Sequence, residues 1–167
     1  MMRLVLVSCL VILFSCNDER KGYISKDNNG GDEVYSIAND DDQMNKAVHK
    51  ASASYETFLK EYNNPSSPCS DFSIKLMFPY DGGNEHMWLN GLFYKNEKLF
   101  GVLDSDPVQV NSVKAGDTVE VKQRLVSDWM YLRNDTLVGG YTIRVLYVKM
   151  NEKEKKKFRQ EVGFVID

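Results

Sequence analysis

The most regular pattern of hydrophobic positions in the chain lies between residues 41 and 62, where apolar side chains recur at steps of three and four. This spacing places them on one face of an α-helix. The acidic run Asp40-Asp41-Asp42 can cap the first turn, and Asn63-Asn64-Pro65 ends the helical pattern. We therefore predict one long amphipathic helix over residues 41–61. Its apolar positions are Met44, Ala47, Val48, Ala51, Tyr55, Phe58, Leu59 and Tyr62.

From residue 72 onward the hydrophobic period becomes two, which is typical of β-strands with one buried face. Turn sequences such as Asp81-Gly82-Gly83-Asn84 and Arg133-Asn134-Asp135 separate the alternating segments and favour antiparallel hairpins. We predict a curved, mainly antiparallel sheet or a small barrel of about five strands. The long helix packs on it. The strand segments are residues 72–78, 86–94, 99–103, 118–122, 129–132 and 136–138.

The segment 141–150 fits two structures. Its β-branched and aromatic residues favour a strand, whereas its apolar residues fall on one face of a helix. We favour the helix, with the strand left as the alternative. Asn151 and Glu154 have the spacing of a capping box and predict a second, polar helix to about residue 160. The domain over residues 40–167 is thus predicted to be α+β, with helical segments at its C-terminus.

The first 15 residues have the pattern of an export signal. Arg3 precedes an uncharged, largely apolar run over residues 4–14. As a helix this run is about 16 Å long, which is too short for a hydrocarbon core of about 30 Å. The sequence Leu13-Phe14-Ser15-Cys16 resembles the bacterial lipobox and implies cleavage before Cys16 and lipid on its sulfur. An ordinary secretory signal that is cut nearby is the alternative.

These features predict a protein that is lipid-anchored in the cell envelope. Residues 16–39 are polar and rich in Asn, Asp and Gly, so we interpret them as a tether between the lipidated cysteine and the domain. Asn17 follows Cys16 where an inner-membrane lipoprotein usually has Asp. The resemblance therefore implies sorting to the outer membrane, with the domain facing the periplasm or the exterior.

Composition and motifs exclude several classes of function. Apolar residues make up 43% of the chain and charged residues 27%, which argues against a wholly disordered protein. The formal charge of −3 disfavours a nucleic-acid binder. Phosphate-binding loops, nucleophile elbows and zinc motifs are missing from the sequence, so we predict neither a cofactor nor a metal site. No catalytic constellation is complete.

The residues that stand out combine aromatic rings, acids, a histidine and glycines in three short segments. Aromatic faces with a few polar groups suit the recognition of a peptide, a glycan or a protein. Adjacent glycines let the backbone come close to a ligand or to a neighbouring strand. The candidate binding residues are Glu85, His86, Trp88, Asp128, Trp129, Gly139, Gly140 and Tyr141.

Several segments in this order resemble the YegJ-like family of bacterial proteins, a domain of unknown function that often follows a lipoprotein signal. The resemblance covers about residues 40–160 and implies a domain boundary and an envelope location more than a reaction. The matching segments are Phe72-Ser73-Ile74-Lys75, Glu85-His86-Met87-Trp88-Leu89, Gly101-Val102-Leu103, Gly116-Asp117-Thr118-Val119, Ser127-Asp128-Trp129-Met130 and Gly139-Gly140-Tyr141-Thr142.

Three interpretations of the candidate residues remain open. In the first interpretation the candidate residues only hold the fold together, and both tryptophans are then expected to be buried. They form a recognition surface for a peptide, glycan or envelope protein, in which case they line an open groove. They belong to a hydrolase or transferase that uses His86 as a base oriented by Asp128 or Glu85, in which case His86 and Asp128 share a deep pocket.

Overall fold

The computed structural model describes residues 41–167 and, before them, the backbone of strands β1 (Ile24–Asp27) and β2 (Val34–Ser36). These two strands pair with each other in antiparallel orientation. The predicted signal peptide of residues 1–15 and the predicted lipidation site at Cys16 lie outside the described residues. The predicted tether over residues 16–39 also lies outside them, apart from the backbone of these two strands.

The main body is an α+β domain built on a six-stranded antiparallel sheet in the spatial order β6-β5-β4-β3-β7-β8. The sheet is open, since β6 and β8 form its two edges. The α+β prediction is confirmed. The alternative of a small barrel is wrong, because the sheet does not close, and the sheet has six strands where about five were predicted. The strands are β3 (Cys69–Tyr80), β4 (Gly83–Lys95), β5 (Lys98–Leu103), β6 (Thr118–Glu120), β7 (Val126–Arg133) and β8 (Thr136–Gly139).

The region predicted as one long helix forms two, α1 (Asp42–Ala53) and α2 (Tyr55–Tyr62). Asp41 caps α1 by accepting hydrogen bonds from two backbone amides of the first turn. At the break, the Ser54 hydroxyl donates to the Lys50 carbonyl over 2.7 Å. A serine hydroxyl that competes for a helical carbonyl disturbs the regular backbone pattern, which explains why the apolar stripe continues while the helix does not.

The core lies between these helices and one face of the sheet. Phe58 of α2 is fully buried, and its ring centroid lies 5.7 Å from that of Phe72 and 5.6 Å from that of Trp129. Fully burying such a ring contributes about 1.5–3 kcal/mol. The sheet supplies aliphatic partners from three neighbouring strands: Ile74, Leu76, Met87, Leu89, Leu99 and Leu103.

Residues 141–150 are helical, which decides the alternative left open by the sequence: α3 spans Tyr141–Lys149. Helix α4 (Glu152–Val162) begins with the predicted capping box of Asn151 and Glu154. Helix α3 runs antiparallel to α1, because Lys149 pairs with Asp41 at one end and Tyr141 contacts Ser54 at the other. None of the helices in the described part of the chain is both long and apolar enough to cross a membrane.

Candidate functional site

The two faces of the sheet have different surroundings. Strand residues alternate between faces, so the residues between the buried positions of β3 and β4 point away from the core around Phe58 and Trp129. Helices cover part of this second face, because Lys75 bonds to Thr142 of α3 and Met77 lies in the wall of a depression beside α1. Lys75 lies opposite both Trp88 of β4 and Asp128 of β7 in the strand register. We call the surface formed by Lys75, Met77, His86 and Trp88 the open face, since all four are half-buried or exposed.

Trp129 does not reach the open face. It is 2% exposed, and its indole nitrogen donates to the Ala51 carbonyl of α1 over 2.9 Å. The Tyr141 ring packs edge-on against it with centroids 5.5 Å apart. Trp129 therefore fixes α1 and the start of α3 to the sheet from inside the core.

Gly139 and Gly140 allow this close packing. Both have positive φ, 75° and 58°, which glycine adopts without strain. A Cβ atom on Gly139 would lie 2.3 Å from the Trp129 carbonyl oxygen, and one on Gly140 would lie 2.7 Å from the Leu137 side chain. The close approach that the two glycines permit is to neighbouring protein atoms.

Asp128 is fully buried and caps α3 from a neighbouring strand. Its carboxylate accepts hydrogen bonds from the Tyr141 amide (3.1 Å), the Thr142 amide (2.8 Å) and the Thr142 hydroxyl (2.6 Å). It also accepts from the Trp129 amide over 2.8 Å. Gly140, at the N-cap position, has no side chain to do this. Burial raises the pKa of Asp128, while the bonds from Thr142 act in the opposite direction.

Glu85 serves the backbone in a similar way. One carboxylate oxygen accepts from the Val108 amide over 2.7 Å, and the other accepts from the Gln109 and Val110 amides over 2.9 and 3.1 Å. These bonds hold the segment that follows β5. As the neighbour of His86 in a strand, Glu85 also points to the opposite face. This is the arrangement that strand alternation predicts from the sequence alone.

The open face keeps Trp88 and His86 and adds Lys75. Trp88 is half-buried, His86 is exposed, and the Lys75 ammonium lies 5.4 Å from the centre of a Trp88 ring. The ammonium donates to the Thr142 hydroxyl, which itself donates to Asp128. Burial lowers the pKa of Lys75, although the Asp128 carboxylate acts against this shift. Reduced hydration and then the charge of Lys75 lower the pKa of His86 to about 4.

Sequence reasoning missed Lys75, because it treated this lysine as an ordinary polar position of an alternating strand. The available signal was its place in the middle of an apolar segment, between Ile74 and Leu76. A charge at the centre of a sheet is costly unless it has partners. Those partners are 13 or more positions away, and only the strand register reveals them.

Depressions on the surface of the described region include the following two. One, of about 280 Å³, lies between α1 and the segment that enters β7 and has His49, Arg124 and Ser127 in its wall. The other, of about 490 Å³, lies on β4, β5 and β6 beside the stacked rings of Phe93 and Phe100. Neither is lined by His86, Trp88 or Asp128. Residues 41–167 contain no group of three or more His, Cys, Asp or Glu side chains placed to hold a metal ion.

Comparison with known proteins gives the family. Residues 41–166 match the family described as an uncharacterized protein conserved in bacteria, DUF2314. The chain belongs to this family. It is 32% identical over 123 residues to the uncharacterized protein YegJ of Escherichia coli strain K12, covering 74% of this chain and 79% of the relative. The resemblance to YegJ-like proteins is thus confirmed.

A second relative is longer. The chain is 28% identical over 134 residues to the putative ankyrin repeat protein NMB1133/NMB1171 of Neisseria meningitidis serogroup B, strain ATCC BAA-335 / MC58. The match covers 75% of this chain and 53% of that relative, so the chain spans about half of its length. No solved structure matches the chain.

Proposed function

We propose that this chain is a lipid-anchored envelope protein whose domain binds a peptide, glycan or protein partner without catalysing a reaction. The observation that carries the proposal is the open face, where the half-buried Trp88 ring lies beside Lys75 and His86. Among the predicted site residues, Trp88 and His86 lie on the sheet face opposite the Phe58 core, and neither is fully buried. Part-exposed aromatic rings with a few polar groups are typical of recognition surfaces.

The hydrogen bonds of Asp128 and Glu85 favour binding over catalysis. The oxygens of Asp128 and Glu85 already accept backbone hydrogen bonds. A carboxylate that orients a catalytic histidine needs an oxygen within hydrogen-bond distance of that ring. The structure gives these acids roles in holding α3 and the segment 108–110 instead. The alternative of a hydrolase or transferase built on His86 therefore receives no support from its proposed partners.

The name of one relative adds an independent argument for interaction. The meningococcal relative is named a putative ankyrin repeat protein. Ankyrin repeats stack into extended binding surfaces. A domain of this family that occurs in a protein with such a name is consistent with a role in recognition.

The anchor rests on the sequence of residues 1–16, with its basic start, short apolar run and lipobox-like end at Cys16. An envelope location facing the periplasm or the exterior would place the open face near envelope proteins and cell-wall glycans. Expression of Cys16→Ala in a bacterial host should abolish incorporation of a labelled fatty acid and recovery in the membrane fraction. Unchanged lipid labelling of that variant would reject the anchor.

The binding proposal is tested by cross-linking in the native envelope. The wild-type protein is compared with Trp88→Ala and with Val148→Ala, a matched variant at a 72% exposed apolar residue of α3. We expect a defined partner to be retained by Val148→Ala and lost from Trp88→Ala. Fluorescence from Trp129 reports that the Trp88 variant is folded. Equal recovery of partners by both variants would reject the open face, and substrate turnover that disappears in His86→Ala would reject the non-enzymatic function.

A further inference from the structure

The depression of about 280 Å³ lies between helix α1 and the segment that enters β7. Helix α1 forms one side of its wall with residues at steps of three and four, which lie on one stripe of a helix. Met77 of β3 and residues 124–127 form the other side. The depression shares Met77 with the open face, but neither Trp88 nor His86 belongs to its wall. It is therefore a separate place on the domain.

Apolar side chains form part of the wall of this depression. Val126 is 4% exposed, and Val48, Met77 and Leu125 are half-buried. Transfer of an apolar group from water onto such a surface is favourable. The volume of about 280 Å³ is close to the lower limit of about 300 Å³ for ligand pockets, so the depression suits a small ligand.

The wall also contains an arginine that differs from the others in the described part of the chain. Arg133 and Arg144 each pair with a carboxylate, and Arg159 donates to the Tyr147 hydroxyl. Within residues 41–167 the Arg124 guanidinium has no such partner, and no Asp or Glu is among the described residues that line the depression. The permanent charge of Arg124 is therefore available to a ligand anion beside an apolar surface.

We propose that this depression binds a small carboxylate that carries an apolar group of about the size of a leucine side chain. The planar guanidinium of Arg124 is suited to bind a carboxylate through two parallel N–H···O bonds. The ring of His49, which lies in the same wall, can donate a further hydrogen bond. The apolar group packs against Val48 and Met77. This site goes beyond the proposed function, since it requires neither Trp88 nor the lipid anchor.

The test titrates N-acetyl-leucine into the full-length protein and follows its amide and arginine N–H resonances by NMR. We expect saturable shifts at Arg124, His49 and Val126, with a dissociation constant of about 1 mM or below. N-acetyl-leucinamide lacks the carboxylate and N-acetyl-glycine lacks the apolar group, so each should bind at least about tenfold more weakly. Shifts that do not saturate up to about 20 mM, or equal binding of the amide, would overturn the proposal.

A free acid and the C-terminal residue of a peptide present the same carboxylate and apolar group. The titration is therefore repeated with 4-methylpentanoate, which lacks the acetylamino group of N-acetyl-leucine. Tighter binding of 4-methylpentanoate would support a free acid as the ligand, and tighter binding of N-acetyl-leucine would support a peptide C-terminus.

Matched variants separate this site from general attraction and from the open face. Arg124→Gln should weaken binding of N-acetyl-leucine at least about tenfold. Lys122→Gln removes an exposed positive charge two positions earlier, outside the wall, and should bind as the wild type does. Equal losses in these two variants would show unspecific attraction and overturn the site. Trp88→Ala should also bind N-acetyl-leucine normally, even where it loses a macromolecular partner, and loss of binding in this variant would overturn the separate site.

Discussion

Trp129 and Trp88 lie on opposite faces of the same sheet, and their surroundings show how the two faces differ. In the sequence both lie within three residues of an acid and beside methionine. In the fold, Trp129 is 2% exposed and bonded to a helix carbonyl, whereas Trp88 is half-buried beside Lys75. Local composition did not distinguish them. The strand register did, because a shift of one position exchanges the two faces.

The acids next to the tryptophans show the same contrast between sequence and fold. Asp128 shares a face with Trp88, and Glu85 shares a face with the core, yet both carboxylates bind backbone amides of distant segments. A carboxylate that accepts several amide bonds fixes a helix start or a loop with little cost in side-chain entropy. Both acids therefore hold backbone segments in place, whereas Trp88 and His86 keep part of their surface exposed.

The sharpest test of this contrast compares one aromatic residue from each face. Phe58→Ala removes a fully buried ring that contacts Phe72 and Trp129. We expect the free energy of unfolding to fall by about 3–5 kcal/mol, which is typical of large cavities in a core. Trp88→Ala should cost about 1 kcal/mol, because this ring keeps part of its hydration in the native state. Urea unfolding followed by circular dichroism measures both values.

The ratio between these two losses matters more than either value. A small loss for Phe58→Ala would show that α2 does not pack on the sheet. A loss for Trp88→Ala as large as that for Phe58→Ala would show that the open face is covered, either by another part of the chain or by a second molecule. Either result would remove the difference between the two faces.

An intermediate effect is expected at the buried cap of α3. Asp128→Ala leaves the Tyr141 and Thr142 amides without their acceptor and should lower the free energy of unfolding by about 2–3 kcal/mol. Asp128→Asn keeps one acceptor oxygen and should lose about 1 kcal/mol. Hydrogen exchange should accelerate at the Tyr141 and Thr142 amides in both variants. Unchanged exchange there would mean that the carboxylate does not cap the helix.

The sequence predicted the elements that depend on local patterns. The apolar stripe of residues 44–62 marks the buried face of α1 and α2, period-two alternation marks the strands, and Asn151 with Glu154 forms the predicted capping box. Each of these signals is a spacing within a few residues. The break at Ser54 was missed because it depends on one hydroxyl and its competition for a helical carbonyl.

The candidate site was only partly predictable for a different reason. Trp88 and His86 were chosen together with Glu85 and Asp128, but strand alternation turns Glu85 to the other face, and Asp128 binds the start of α3. Lys75 and Thr142 are 67 positions apart and meet only because α3 begins beside β7. Contacts between residues so far apart in the sequence depend on the topology of the fold, and the composition does not predict them. Whether the sheet closes into a barrel is likewise a matter of topology, and here the edge strands β6 and β8 do not pair.

The smallest expected effect concerns acid stability on the open face. The pKa of His86 falls from 6.5 to about 4 on folding, so between these values the unfolded chain binds a proton that the native chain does not. Stability from this source is complete above about pH 6.5 and is lost as the pH falls toward 4. His86→Asn should therefore lose less stability than the wild type between neutral pH and about pH 5.

The matched variant His49→Asn, on the exposed side of α1, controls for removal of a histidine elsewhere. The difference should be modest, because His86 is exposed and water screens its charge. Urea unfolding measures the stabilities, and the imidazole proton resonances give the titration midpoint directly. A His86 midpoint near 6.5 would show that Lys75 and the surrounding strands do not disfavour its charged form, and the open face would then present a second cation below neutral pH.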